Sequence, residues 1–107
     1  MTMQIIRFKD INDDNPYSTY FISLKEETYI FTVRWNNYAS CAFLSIADYN
    51  NNPIISGKAL VNGLKIRNKN LPYIFAFLHK TSETYEPTID NLASEFMLMY
   101  DDEVEIS

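Results

Sequence analysis

The chain has 107 residues, a formal net charge of −5, and a composition that is 47% apolar and 15% aromatic. That length fits one domain, 1–107, with one core, and the apolar content excludes a disordered chain. Cys41 stands alone, which rules out an internal disulfide and any multi-cysteine metal cluster, so it reads as a small buried hydrophobe in a strand.

Eight Tyr and seven Phe, with many Ile and Thr, favour strands over helices. With only two Gly, many turns fall to Asn, which tolerates the left-handed backbone region better than other non-glycine residues. No stretch approaches the roughly 18 apolar residues of a membrane span, and Met1–Lys9 holds no long apolar core of a signal peptide. The expectation is a chain that stays in the cytoplasm where it is made, outside any bilayer.

In chain order, Met3–Phe8 predicts a first strand, followed by an Asp- and Asn-rich loop, Asp10–Tyr17, that contains Pro16. Tyr20, Ile22 and Leu24 then alternate with Phe21, Ser23 and Lys25, and Tyr29, Phe31, Val33 and Trp35 alternate with Ile30, Thr32 and Arg34. Period two is the signature of strands. Glu26-Glu27 between them predicts a tight hairpin despite poor turn residues. Bulky groups on both faces predict that both strands are at least partly covered on both sides, and Phe31, Val33 and Trp35 are candidate core. Asn36-Asn37 ends the second of these strands. Cys41–Asp48 is a further strand, and Tyr49–Pro53 a turn in which three Asn supply positive φ.

Ile54–Val61 predicts a strand kinked at Gly57, and Asn62-Gly63 a type I′ hairpin tip between Ala59-Leu60-Val61 and Leu64-Lys65-Ile66. Leu71–His79, an apolar run with Pro72 near its start, reads as a buried strand. After the polar loop Lys80–Pro87, Thr88–Leu92 predicts a helical turn capped by Thr88 or Asp90. Phe96–Tyr100 is the last strand and Asp101–Ser107 an acidic tail. About eight short strands with turns every 8–12 residues predict an all-β fold, a small antiparallel barrel or sandwich.

Charge is distributed unevenly. Up to Lys80 there are nine basic and six acidic residues; from Thr81 onward there are eight acidic residues and no basic one. Lys58, Lys65, Arg67 and Lys69 lie in a stretch with no acid between Asp48 and Glu83. A basic stretch and an acidic end suit docking between neighbours of opposite sign. Lys58, Lys65, Arg67, Lys69, Glu86, Asp90, Asp101 and Asp102 are therefore the candidate interface residues.

The residues of a chemical site are sparse. His79 is the only histidine, so a two-histidine metal site within one chain is excluded, and Ser82 and Glu83 beside it make a neighbourhood in sequence, not a triad. Asp10–Asp14 lacks the Gly and closing Glu of a calcium loop, and two Gly do not build a phosphate loop. The paired carboxylates Glu26-Glu27 and Asp101-Asp102 point to opposite faces of a strand. No catalytic residue, metal, cofactor or small-molecule substrate is expected. A nucleic-acid surface drawn from Tyr29, Phe31, Trp35 and Arg34 is the main competitor, but Arg34 lies on the face opposite the other three, and the pI of ≈ 4.7 opposes phosphate binding.

The order Phe21-Ile22-Ser23-Leu24, Tyr29 through Trp35, Phe43 through Asp48, Pro53-Ile54-Ile55-Ser56-Gly57 and Val61-Asn62-Gly63 resembles that of baseplate plug proteins of contractile phage tails. Glu86-Pro87-Thr88, Asp90, Leu92 and the apolar Phe96–Tyr100 continue the resemblance, which spans Tyr20 to Tyr100. Three positions depart from it: Ala93 replaces a usual Gly, Phe43 a frequent Trp, and Asn50–Asn52 an Asp/Gly turn. The resemblance implies a non-enzymatic virion protein near the hub and the end of the tail tube. It would contact hub, tube and wedge proteins and assemble in the reducing host cytoplasm. The competing readings are an OB-like single-strand-binding protein and a phage-encoded inhibitor or adaptor of a host protein.

Overall fold

A computed structural model describes residues 3–8, 11, 14–81, 87–88 and 92–105. It is all-β: two four-stranded antiparallel sheets packed face to face as an open sandwich, with no closed barrel. The strands are β1 (Met3–Ile6), β2 (Tyr17–Leu24), β3 (Glu27–Asn36), β4 (Cys41–Asp48), β5 (Pro53–Leu60), β6 (Leu64–Ile66), β7 (Tyr73–His79) and β8 (Phe96–Glu105). One sheet is the meander β2-β3-β4-β5. The other has the order β1-β8-β7-β6, so the first and last strands lie side by side, with Met3 opposite Asp101.

The alternation of side chains sorts each strand into an inner and an outer row. Phe31 and Val33 of β3, Leu44 and Ile46 of β4, Phe75 and Phe77 of β7, and Phe96 and Leu98 of β8 are essentially inaccessible to solvent. The sheets meet where Phe31 approaches Phe75 edge-on, with ring centroids 5.7 Å apart. Phe8, just past β1, lies 5.6 Å from Tyr20 of one sheet and 6.3 Å from Phe77 of the other, closing that side. Edge-to-face and offset aromatic pairs each add about 0.5–1.5 kcal/mol beyond area burial. Trp35 only packs against the core rim, and its indole N–H reaches Asn37 Oδ1 at 2.9 Å.

The turns correct several expectations. The β2–β3 hairpin is as tight as the pattern predicted, but its loop is one residue earlier than Glu26-Glu27: the two loop residues are Lys25 (φ 51) and Glu26 (φ 68), and Glu27 already belongs to β3. Paired positive angles are those of a type I′ turn. Asn62-Gly63 is a turn but not a hairpin: only Gly63 has positive φ, at 89, and Leu64 N–H donates to Val61 carbonyl at 3.0 Å. Positive φ at the second central residue alone is the type II pattern, which splays the flanking strands instead of pairing them. Accordingly β5 and β6 lie in different sheets. Gly63 N–H and Asn62 Oδ1 instead bind the β7 backbone, at Phe77 and His79.

The last strand is longer than expected, running through Asp101 and Asp102 to Glu105, because β1 and β7 flank it and satisfy its backbone. The short helical turn is Leu92–Glu95, starting four residues later than the predicted Thr88–Leu92; Thr88 carbonyl accepts Leu92 N–H at 2.9 Å, while Asp90 lies outside the described residues. β2 is not covered on its outer side, where Tyr17 is 54% and Phe21 67% exposed, whereas the outer row of β3 is half-buried at Ile30 and Thr32, as expected. Cys41 is in a strand as predicted, but half-buried.

Phe31→Ala is expected to lower unfolding free energy by about 3–5 kcal/mol, through lost burial and the cavity left at the sheet junction. Phe21→Ala, on the same hairpin but facing outward, should change it by less than about 0.5 kcal/mol. Urea denaturation of both variants measures the contrast.

Candidate assembly surfaces

With one side chain of each alternating pair committed to the core, the remaining surface belongs to the outer rows. Three rows cross the β2–β5 sheet. Phe21, Ile30, Ala47 and Pro53 make an apolar row; Thr19, Thr32 and Ser45 a hydroxyl row; and Tyr17, Arg34, Phe43 and Ala59 an aromatic row with one guanidinium. Tyr17, Thr32, Arg34, Asn36, Phe43, Ser45 and Gly57 line a depression on this face. Ser56 and Gly57 oppose Ser45 alone, a two-against-one bulge that turns Gly57 (φ 65) so that its N–H donates to Ser45 Oγ at 3.0 Å.

On the other sheet, Lys65, Ala76, Met99 and Ile5 form a row across all four strands. Leu78 and Met97 pair beside it. A half-buried strip of Met, Ala and Leu on an outward face is the composition of a contact surface more than of a solvated one.

The basic candidates are all exposed but are spread along one side of the sandwich, where the chain crosses between sheets. Lys58 is on edge strand β5, Lys65 on edge strand β6, and Arg67 and Lys69 in the loop after β6. Lys69 shares a groove with Lys25, Glu27, Tyr29, Asn70, Leu71 and Pro72, so it adjoins a carboxylate of the β2–β3 turn. Of the acidic candidates, Asp101 is half-buried on β8 and follows Met99 on the outer face, two strands from Lys65. The backbone of Asp102 is next in β8. Glu86 and Asp90 lie outside the described residues, as do Asp10, Ser82 and Glu83.

Titratable groups with defined partners serve the framework. His79 is 8% exposed; its Nδ1 accepts the Thr81 N–H at 3.1 Å, which leaves the proton on Nε2 for the Glu95 carboxylate at 3.0 Å. Its ring lies edge-on to Phe96 at 5.0 Å. Nε2 thus ties the end of β7 to the helical turn that leads into β8, and Nδ1 orders the residues just past β7. Asp48 organises the β4–β5 turn: Oδ1 accepts Asn50 and Asn52 N–H groups, each at 2.9 Å, and Oδ2 accepts Asn52 Nδ2 at 3.0 Å. These bonds, the Asn52 backbone first, hold its pKa below the ordinary aspartate value. Asn51 takes φ 66 at the tip, the role foreseen for this Asn run.

Tyr29, Phe31 and Trp35 face the core or its rim, whereas Arg34 points outward, as the alternation predicted. Tyr17, Phe21 and Phe43 are the surface residues that sequence reasoning missed. Among the described residues, no group of three His, Cys, Asp or Glu side chains comes together as a metal site, and no helix is long and apolar enough to cross a membrane.

Compared with known proteins, residues 3–103 match the model of a family described as the cyanophage baseplate Pam3 plug gp18. No curated protein matches the chain.

A folded-state pKa below the unfolded value means that Asp48 contributes stability above the unfolded pKa and loses it as pH falls through the folded one. Asp48→Ala should therefore lower Tm at neutral pH, with a narrower gap to wild type at an acid pH below the ordinary aspartate pKa. Thermal melts at the two pH values check this, and an unchanged gap would mean that the carboxylate charge is not what orders the turn.

Proposed function

The chain belongs to the baseplate plug family of the Pam3 cyanophage type, and from that premise we propose that it is a non-enzymatic structural subunit placed near the hub and the end of the tube of a contractile tail. Family membership makes it a structural component of a phage baseplate, associated with other tail proteins in the virion. The contractile tail, the position beside hub, tube or wedge proteins, and assembly in the host cytoplasm are the finer parts of the proposal.

The observation that carries the reading is the match over 3–103, essentially the whole sandwich. The surfaces fit it. Tyr17 and Phe21 stay outside the core although they belong to its strands, and Tyr and Phe are enriched at interfaces. The histidine and the carboxylates with defined partners are engaged in turns and strand ends, which is how a protein that works by fitting is built.

Docking in this proposal is steered by the exposed basic side and the acidic segment Glu83–Glu105, which would meet neighbours of opposite charge. Reversing Lys65, Arg67 and Lys69 to Glu should leave the isolated fold intact, because exposed charges contribute about 0–1 kcal/mol each. Incorporation into tails should fall, and fall further as ionic strength rises if residual attraction persists. Mass spectrometry of tails purified from a phage carrying the triple reversal measures it. Normal incorporation with normal infectivity would remove the basic side from docking.

A further inference from the structure

The outer face of the β2–β5 sheet holds very little charge. Of the outward positions that the register assigns on β2, β3 and β4, Arg34 alone is charged, although 21% of the residues in the chain are Asp, Glu, Lys or Arg. A solvated face ordinarily mixes charges of both signs. Arg34 is exposed in a depression bounded by Tyr17 of β2 and Phe43 of β4, the residues directly opposite it on the two neighbouring strands.

The other polar groups of that depression are donors. Ser45 Oγ already accepts the Gly57 N–H at 3.0 Å, which leaves its own proton to donate. Asn36 Oδ1 is taken in the same way, by the N–H groups of Tyr38 at 2.9 Å and Ala39 at 3.0 Å, so its Nδ2 is the end left for a ligand. Thr32 adds a second hydroxyl, opposite Ser45. Among the described residues, no carboxylate lines the depression or pairs with Arg34.

We infer that this depression receives a single Asp or Glu side chain from a neighbouring tail protein, with its carboxylate on the Arg34 guanidinium and its stem between Tyr17 and Phe43. The partner rests on the baseplate reading; the chemistry rests on the face itself. Donors without acceptors select an anion, and a guanidinium matches a carboxylate through two parallel hydrogen bonds. One cation on a neutral face fits one carboxylate, whereas a nucleic-acid backbone calls for several cations along successive phosphates. Rings on either side lower the local dielectric and strengthen the pair beyond one in open water. Tyr, Phe and Arg are also the residue types enriched at the cores of interfaces. Such a pair fixes the register of docking, a task distinct from the steering assigned to Lys58–Lys69.

The test compares tails purified from phage carrying Arg34→Glu or Arg34→Lys, with this subunit measured by mass spectrometry. Both isolated variants should melt as the wild type does, because Arg34 points outward. Arg34→Glu should lower incorporation by more than about tenfold, and Arg34→Lys, which keeps the charge but loses the planar fork, by less. A photoreactive benzoyl-phenylalanine at position 17 should cross-link, in assembled tails, to a segment of another tail protein that contains Asp or Glu. Changing that acid to Arg should restore incorporation of the Arg34→Glu subunit. Equal incorporation of Arg34→Glu and wild type, cross-links confined to this chain itself or to segments without Asp or Glu, or a charge swap that restores nothing would each overturn the inference while the baseplate reading stands. A wild-type chain missing from purified tails would overturn both.

Discussion

Phe31 and Phe75 meet across the two sheets, and the rest of the molecule is arranged around that junction. Neither sheet has a covered inner face without the other. Fully burying a Phe contributes about 1.5–3 kcal/mol, and aromatic geometry adds to it. The stack continues to either side, through Phe77 against Phe96 and through Tyr100 against Tyr73 and Phe75. Phe8 locks the entry between β1 and β2, and the Asn62-Gly63 turn locks the exit by binding β7. A sandwich of this size therefore stands on one aromatic layer with buried aliphatic side chains packed around it.

Much of this was legible in the residues, since period two in Tyr29–Trp35 and Cys41–Asp48 places Phe31, Val33, Leu44 and Ile46 inward without further information. The direction of β2 was not legible, because Tyr17 and Phe21 on one face are as apolar as Tyr20 and Ile22 on the other. Only the register with β3 decides which set is outside. The turns misled for a related reason. Asn62-Gly63 has the residues of a hairpin tip, but the chain must change sheets there, and the type II geometry that Gly also permits accomplishes it. Lys25-Glu26 adopts the I′ conformation against its own preference, because the paired strands on either side dictate it. Likewise Asp101 and Asp102 extend β8 because β1 pairs with it from the other end of the sequence, a tertiary effect that local propensity does not register.

The candidate surface was legible in its charges but not in its aromatics. Lys65, Arg67 and Lys69 are exposed by alternation and loop position, whereas Lys58 pairs with buried Leu44 and is exposed because β5 is an edge strand. That Tyr17, Arg34 and Phe43 line up across three strands follows from pairing, which no single segment encodes. The proposed role separates the protein's tasks by side: inner rows fold it, and outer rows, edges and charged ends would face neighbours. A baseplate plug needs that separation, since a subunit assembled among many partners must keep its fold while its surfaces are exchanged between solvent and protein.

The separation is tested most directly by hydrogen exchange on the isolated chain and on the same chain within purified tails. The account predicts that amides of β3 and β7 around Phe31 and Phe75 are equally protected in both, while protection gained on assembly falls on edges and loops outside the aromatic layer. Core amides that are unprotected until assembly, or tails in which no amide of this chain gains protection, would contradict it.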